Sequence, residues 1–274
     1  MVVQHNVTAM NANRQLGITT GIQAKSSEKL SSGYKINRAA DDAAGLAISE
    51  KMRRQVRGLT QASANAQDGI SAVQTAEGAL NEVHDMLQRM NELATKAAND
   101  TLQSTDRQYI QSEMKALTSE ITRTASATEF NNQALLDGTF TDKKLQVGTE
   151  TGSTNQISIS ITKMTASNIG VGNVDVSGTD GANARTAMDA VKNALQSVSK
   201  QRSDLGAIQN RLEHTIKNLD NVTENTQAAE SQIRDTDMAK EMVKYSNNNI
   251  LAQAGQSMLA QANQSNQGVL SLLG

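Results

Sequence analysis

Few side chains in this sequence are spaced to do acid–base, nucleophilic or metal chemistry. The three histidines, His5, His84 and His214, lie far apart, and none has a second ligand at the i+4 spacing of a helical zinc motif. The chain has no cysteine, which excludes thiolate nucleophiles, disulfides and cysteine metal sites. Gly170-Val171-Gly172 lacks the third glycine and the Lys-Ser/Thr pair of a phosphate loop. We therefore predict a protein that is not an enzyme and that uses no cofactor and no metal.

Two acidic pairs and one basic cluster have simpler explanations than catalysis or nucleic-acid binding. Asp41-Asp42 and Asp235/Asp237 could be carboxylate dyads, but negative charge at a helix start explains them more simply. The basic cluster at residues 51–57 has no interleaved aromatic residue, and the chain carries a net charge of only −2. Helical spacing places Arg53 and Arg57 on one face, which favours contact with an acidic surface of another subunit over contact with nucleic acid.

The composition of the 274 residues favours long helices over a compact globule. No proline interrupts a helix, and aromatic residues make up only 2% of the chain, so we expect no large aromatic core. No apolar run reaches the roughly 18 residues of a membrane span, which predicts no membrane insertion. Residues 1–10 lack the cationic start and long apolar stretch of a cleavable signal peptide, so export would use another route.

The two chain ends are almost free of charge. The first charged residue is Arg14 and the next is Lys25, and none follows Lys244. Apolar residues nevertheless recur in the last 30 positions: Ile250, Leu251, Met258, Leu259, Val269, Leu270, Leu272 and Leu273. A frayed tail is the alternative, but a disordered tail does not need this spacing. We predict that the ends pack on each other or on copies of the chain, with Ile250, Leu251, Met258, Leu259, Leu270 and Leu273 at the subunit interface.

Between the ends, apolar periodicity predicts long helices. Steps of three and four form a heptad seam: Val73, Ala76, Leu80, Val83, Leu87, Met90, Ala94 and Ala97. This helix is expected to begin near Asp41 or Asp42 and to run to about residue 99, so it must pair lengthwise with another helix. A second periodic stretch covers 104–129, and helical periodicity returns from about Ala184 to Ile233.

The middle of the chain has a different texture. Gly, Thr, Ser and Asn dominate residues 130–181, and residues 156–162 alternate apolar and polar side chains, which predicts a strand. Residues 145–147 are a possible partner strand across a turn-rich segment. The predicted fold is mainly α, a long antiparallel helical rod or coiled coil built from both chain ends, with a small β-hairpin region in the middle of the chain that we place at the tip of the rod.

Long segments of the chain resemble bacterial flagellin. The resemblance rests on residues 28–52, 67–80, 211–219, 228–242 and 258–264, and it covers nearly everything outside about 138–183. The hook-filament junction protein has a similar helical plan, but the Lys-Leu-Ser-Ser-Gly run at 29–33 and the Arg-Asp-Thr-Asp-Met-Ala run at 234–239 favour flagellin. A secreted coiled-coil adhesin or effector that does not polymerise is the alternative from a different class.

The resemblance implies a structural subunit that self-assembles into the extracellular flagellar filament for swimming motility. Export would proceed unfolded through the flagellar type III pathway. The implied domains are an inner-tube helix with a connecting spoke (1–40), N-terminal outer-tube helices (41–137), a short variable strand and loop region (138–183), a C-terminal outer-tube helix (184–230) and a C-terminal inner-tube helix (231–274).

The resemblance also implies partners. These are other copies of the chain, a flagellar export chaperone on the C-terminal segment from about residue 225, and the filament cap and junction proteins. Toll-like receptor 5 is a further implied partner, through Gln88, Arg89, Glu92, Leu93 and Glu113. Met90 and Ala94 lie in the heptad seam, so this strip also serves packing. Helical spacing places Arg89 and Leu93 on another part of the circumference, and we expect both to be accessible.

Overall fold

The computed structural model describes the backbone of residues 6–271 and the side chains of residues 6–264. These residues form five helices: α1 (Val7–Ser32), α2 (Ala43–Ala97), α3 (Ser104–Ala127), α4 (Ala182–Arg234) and α5 (Met238–Ser271). The short strands are β1 (Glu129–Phe130), β2 (Gln133–Ala134), β3 (Lys143–Gln146) and β4 (Gln156–Ile159). The predicted mainly α fold is confirmed.

The chain divides into two compact units. Unit 1 takes residues 1–56 and 225–274, and unit 2 takes residues 57–224. Unit 1 therefore contains α1, α5, the start of α2 and the end of α4, whereas unit 2 contains the rest of the helices and all four strands. Among the helices of the described residues, none combines the length and apolar content needed to cross a membrane.

The core of unit 2 is built on one face of α2. All eight side chains of the predicted heptad seam, from Val73 to Ala97, are 0% exposed. They share one buried cluster with Ile110 and Met114 of α3 and with Val191 and Leu205 of α4. Because the seam mixes small Ala with larger Leu, Val and Met side chains, neighbouring helices can interlock with it at short distance. The sequence-based seam and its helix bounds are confirmed.

A buried arginine fixes the end of α2. Arg107 of α3 is 0% exposed, and its Nε donates to the carbonyl oxygen of Ala97 at 2.9 Å while Nη2 donates to that of Asn99 at 3.0 Å. These carbonyls are among those that a helix C-terminus leaves without an intrahelical donor. On the same turn, Asp100 accepts the Gly181 N–H at 2.9 Å. The turn thus joins the end of α2 to the starts of α3 and α4.

The predicted hairpin is present, but it lies in a different place. Strands β3 and β4 pair antiparallel, with Gln146 opposite Gln156. Asn65 Nδ2 of α2 donates to the Gln146 carbonyl oxygen at 3.0 Å, and a Cβ at Gly69 would collide with Leu145 Cδ1. The hairpin therefore lies beside residues 58–69 of α2, well before the end of that helix, and the prediction of a hairpin at the tip of the rod is wrong. Glycine at position 69 leaves the space that Leu145 occupies.

Candidate assembly and recognition surfaces

Helices α1 and α5 pair antiparallel in unit 1. Asn6 caps α1 by accepting the Ala9 N–H at 3.0 Å, and its Nδ2 donates to the Ala262 carbonyl oxygen at 2.9 Å. At the other end, Gly33 terminates α1 in the left-handed conformation, with φ 76°, and its carbonyl oxygen accepts the Thr236 N–H at 2.9 Å. The two helices therefore run alongside each other for most of their length.

The seam between α1 and α5 is made largely of small and polar residues. In α1 the positions shielded from solvent recur at steps of three and four: Ala9, Ala12, Leu16, Thr19, Gln23, Ser26 and Leu30. The corresponding positions of α5 are Glu241, Tyr245, Asn248, Ala252, Gly255, Leu259 and Ala262. This spacing is that of a coiled coil, but most of the side chains are not the large apolar residues that usually fill one. The pairing within one chain consequently buries little apolar surface.

The large apolar side chains of the same helices face outward. In α1 these are Val7 (62% exposed), Met10 (68%), Ile18 (52%) and Ile22 (37%). In α5 they are Met238, Met242, Val243, Ile250 (65%), Leu251 (57%) and Met258 (59%). An isolated soluble coiled coil has the opposite arrangement, because apolar burial drives its pairing. We call these residues the outer apolar face of unit 1.

The predicted interface residues of α5 fall in three places. Ile250, Leu251 and Met258 lie on the outer apolar face, where another chain could reach them. Leu259 lies in the seam with α1 and is only partly exposed. The side chain of Leu270 and the whole of Leu273 lie outside the described residues. The α1 members of the face were not predicted, although their types at an uncharged chain end were a signal for them.

A connector joins the two chain ends where α1 meets α2 and α4 meets α5. Tyr34 and Asp235 form an antiparallel bridge, and the Lys35 N–H donates to the Arg234 carbonyl oxygen at 2.7 Å. The Arg234 guanidinium lies 4.7 Å from the Tyr34 ring centroid, and its Nη1 donates to Glu50 at 2.7 Å. These contacts join the segment between α1 and α2 to the segment between α4 and α5.

Arg53 is engaged within the chain. Its Nε donates to Glu230 of α4 at 3.1 Å, and its Nη1 lies 3.6 Å from Glu50. The pair with Glu230 is largely shielded from solvent, since Arg53 is 27% and Glu230 14% exposed. Arg57 is exposed. Arg53 thus ties α2 to α4 inside unit 1, and its contact with another subunit stays a prediction, as does that of Arg57.

The acidic pairs act as helix starts rather than as a catalytic dyad. Asp42 accepts the Gly45 N–H at 2.9 Å at the beginning of α2, and Asp237 accepts the Lys240 N–H at 3.1 Å at the beginning of α5. The hydrogen bond from the Lys240 N–H lowers the pKa of Asp237. The Arg38 N–H likewise lowers the pKa of Asp41, which belongs to the turn before α2. Within the described residues, no group of three or more His, Asp or Glu side chains could hold a metal ion.

The predicted receptor strip presents an ion-paired arginine on the surface of unit 2. Arg89 Nε and Nη2 donate to Glu113 of α3 at 3.0 and 2.9 Å, and Nη1 donates to Glu92 at 3.0 Å. The hydrogen bond with Glu113 is the main cause that raises the pKa of Arg89. Gln88 is also exposed, with its Nε2 2.9 Å from His84 Nε2. The structure thus brings Arg89, Glu92 and Glu113 into one cluster across α2 and α3.

Leu93 lies differently from the sequence-based expectation. It is 4% exposed and belongs to the same buried cluster as Ile110. The prediction that it faces away from the packed seam is wrong, because α3 covers this flank of α2. A groove of about 560 Å³ runs over Leu93 between Arg89 and Tyr109, which is 77% exposed. Leu93 therefore lies at the floor of this groove.

These features define the class of protein. A mainly helical chain with a well-packed unit and a terminal helix pair that exposes its large apolar side chains is a structural subunit suited to assembly with copies of itself.

Comparisons with known proteins identify the family. The model of the bacterial flagellin N-terminal helical region matches residues 3–141, and that of the C-terminal helical region matches residues 188–273. The chain is 55% identical to a flagellin of Halalkalibacterium halodurans and 49% identical to a flagellin of Bacillus subtilis, each aligned over 100% of both chains. It belongs to the bacterial flagellin family, and it is a structural subunit of the extracellular flagellar filament.

One solved structure shares the fold at low identity. A putative flagellar hook-associated protein from Vibrio parahaemolyticus superposes with a TM-score of 0.60 at 16% identity, covering 71% of this chain and 100% of that one. This likeness concerns the fold alone. Full-length similarity to flagellins confirms the family that the sequence motifs indicated, and it favours flagellin over the junction protein and over a non-polymerising adhesin.

Proposed function

We propose that the outer apolar face of unit 1 is the surface through which copies of this chain contact each other in the filament. The observation that carries the proposal is the inverted polarity of the α1–α5 pair, with mostly small and polar residues in the seam and large apolar residues outside. Fully burying one Leu, Ile or Met side chain contributes about 1.5–3 kcal/mol. Ten such residues on one helix pair can therefore supply a large part of the association free energy, before ordering costs.

The proposal assigns a role to each unit. Unit 1 forms the inner tube, where neighbouring copies complete its core, and unit 2 forms the outer tube with a core of its own. Arg53, near the end of the α2 segment in unit 1, and Arg57, the first residue of unit 2, are candidates for additional polar contacts between subunits. Contacts that join different patches of successive copies do not close, and they generate a helical filament.

A truncation tests this role. Removing residues 245–274 deletes most of α5 and with it Ile250, Leu251 and Met258. We expect a soluble monomer in which unit 2 keeps its helices by circular dichroism but which does not elongate filament seeds, whereas the full chain does. Normal filaments from the truncated chain, seen by electron microscopy, would contradict the proposal.

The exposed apolar residues of α5 also support the remaining proposed partners. Before assembly, Met238, Met242 and Val243 are open to solvent, and a chaperone that covers the segment from about residue 225 would prevent premature association. The filament cap and junction proteins would meet the same face at the filament ends. Isothermal titration with a purified export chaperone tests the first of these: the full chain should bind it. The chain lacking residues 245–274, which keeps Met238, Met242 and Val243 but loses Ile250, Leu251 and Met258, should bind it more weakly.

Recognition by Toll-like receptor 5 is a second proposed function. It is favoured by the exposed Arg89–Glu113–Glu92 cluster beside the groove over Leu93, because an arginine at a ridge next to a groove is a common anchor of protein interfaces. Arg89→Asp should abolish measurable receptor binding in surface plasmon resonance. The matched control is Arg123→Asp, since Arg123 also lies exposed and pairs with a glutamate, Glu120, one turn away. Equal affinities for the Arg89 variant and the wild type would remove this cluster from the receptor site.

We propose no catalytic role for the chain. The acidic pairs that could form a dyad are used as helix caps at Asp42 and Asp237, and the ion pairs of Arg53 and Arg234 join elements of unit 1.

A further inference from the structure

The outward faces of α2 and α4 in unit 2 carry opposite charge. From Gly58 to Gln88, α2 contains four carboxylates and no Lys or Arg. From Lys192 to Lys217, α4 contains five Lys or Arg residues and two carboxylates. The two segments lie side by side and antiparallel, since Ser63 bonds to Asp220 and Glu77 pairs with Arg202. Unit 2 therefore has one acidic flank and one basic flank.

Most of these charges form no ion pair within the described residues. Glu77–Arg202, at 3.7 Å, is the one ion pair between the two segments in that part of the chain. We define the acidic face by Asp68, Glu82 and Asp85 of α2, all exposed and without an ion pair there. We define the basic face by the exposed residues Lys192, Lys200, Arg211 and Lys217 of α4, which also form no ion pair among the described side chains.

The acidic face is unfavourable for an isolated subunit. Glu82 and Asp85 are three residues apart on one helix and repel each other. Glu82 has Met86 at i+4, and the cation at i+4 from Asp85 is Arg89, whose guanidinium bonds to Glu113 and Glu92 instead. A surface that only has to be soluble usually intersperses the two signs of charge. Segregation of charge onto two helices instead suits contact between complementary surfaces.

A glycine at the centre of the acidic face indicates close approach by another chain. Gly78 is exposed in the interior of α2, four residues before Glu82, and a Cβ at this position would meet no atom within 4 Å. Glycine weakens a helix relative to alanine, and no steric contact within the chain requires it at position 78. A neighbouring backbone or side chain that packs against α2 at this point would require it.

We propose that the acidic face of one copy docks against the basic face of the next copy in the filament. The contact joins two different surfaces, so it can repeat without closing, as a filament needs. This inference rests on the filament role of the chain and names a lateral contact within it, made by unit 2 and separate from the outer apolar face of unit 1. It also predicts that sodium chloride weakens this contact by screening.

A charge swap tests the contact in seeded elongation. Glu82→Lys/Asp85→Lys reverses the acidic face, and in about 0.05 M NaCl, where exposed charges still interact over roughly 10 Å or more, we expect its critical concentration to rise about tenfold. Lys200→Glu/Arg211→Glu reverses the basic face and should have a similar effect. An equimolar mixture of the two variants should elongate seeds better than either alone, because opposite charges then meet at every contact between unlike variants. The matched control for the acidic-face variant is Glu150→Lys/Asp180→Lys, which makes the same change of charge at exposed loop positions.

The outcomes separate this contact from the filament role itself. The contact is overturned if the acidic-face variant elongates like wild type, if it behaves like the loop control, or if the mixture gives no rescue. In each of these cases wild-type elongation still supports the filament role, whereas failure of the wild type to elongate seeds would count against that role. Circular dichroism of the monomers shows that unit 2 is folded. Gly78→Leu supplies an independent readout: it should slow elongation, and growth at the wild-type rate would contradict close approach at Gly78.

Discussion

Replacing two outer apolar residues of α5 should weaken filament assembly far more than it weakens the subunit. Ile250 and Leu251 are 65% and 57% exposed, so neither contributes much to packing within the chain. If assembly buries their exposed parts, each contributes about 1.5 kcal/mol, taking about 2.5 kcal/mol for a fully buried side chain. The free energy of association of the Ile250→Ser/Leu251→Ser variant with the filament should then be about 3 kcal/mol less favourable per subunit. This corresponds to a rise of about a hundredfold in critical concentration.

The assay is the monomer concentration left in the supernatant after seeded elongation has reached its plateau. The control is Ile250→Leu/Leu251→Val, which keeps both positions apolar and should change the critical concentration by no more than about tenfold, since volume-conserving swaps cost less than about 1.5 kcal/mol. Circular dichroism should show the same helix content in the unassembled variants and wild type. An unchanged critical concentration for the serine variant, or an equal rise for the control, would refute burial of this face on assembly.

Three further predictions concern the subunit itself. Leu87→Ala opens a cavity at a 0% exposed position and should lower the free energy of unfolding of unit 2 by about 2–5 kcal/mol in urea titration, against little change for the exposed neighbour in Gln88→Ala. Gly69→Ala places a methyl group against Leu145 and should destabilise by about 1–3 kcal/mol, whereas Gly78→Ala, with open space, should leave the monomer equally or more stable. The pKa of Asp237 is lowered from 3.8 in the folded chain. Its negative charge therefore stabilises the folded chain above about pH 3.8, and this stabilisation is lost as the pH falls through the folded pKa. Asp237→Asn should therefore lower the melting temperature at neutral pH, and the difference from wild type should shrink below about pH 3.8; a difference that persists there would contradict the charged cap.

The sequence predicted those parts of the fold that depend on local periodicity. The seam from Val73 to Ala97 follows from heptad spacing alone, and burial of all eight residues confirms it. The helix starts at Asp42 and Asp237 follow from capping preferences that are equally local.

The parts that it missed depend on contacts between distant segments. Leu93 is buried because α3 folds back over it, and the spacing within α2 does not show which flank α3 covers. The hairpin lies beside residues 58–69 of α2 because Gly69 leaves room for Leu145, a steric fit that no strand pattern shows. The sequence predicted only part of the arrangement of α1 and α5. The uncharged ends indicated that these segments pack, but the small residues of the seam did not show which face of each helix would be buried within the chain.

The central claim is that neighbouring copies complete unit 1, whereas unit 2 is complete within one chain. Hydrogen exchange measured by mass spectrometry on monomers and on filaments tests it most directly, because amide protection reports the free energy of local opening. We expect peptides from α2 residues 73–97 to be strongly protected in both states, and peptides from α1 and α5 to exchange rapidly in the monomer and slowly in the filament. Strong protection of α1 and α5 in the monomer, with no further gain on assembly, would contradict the account.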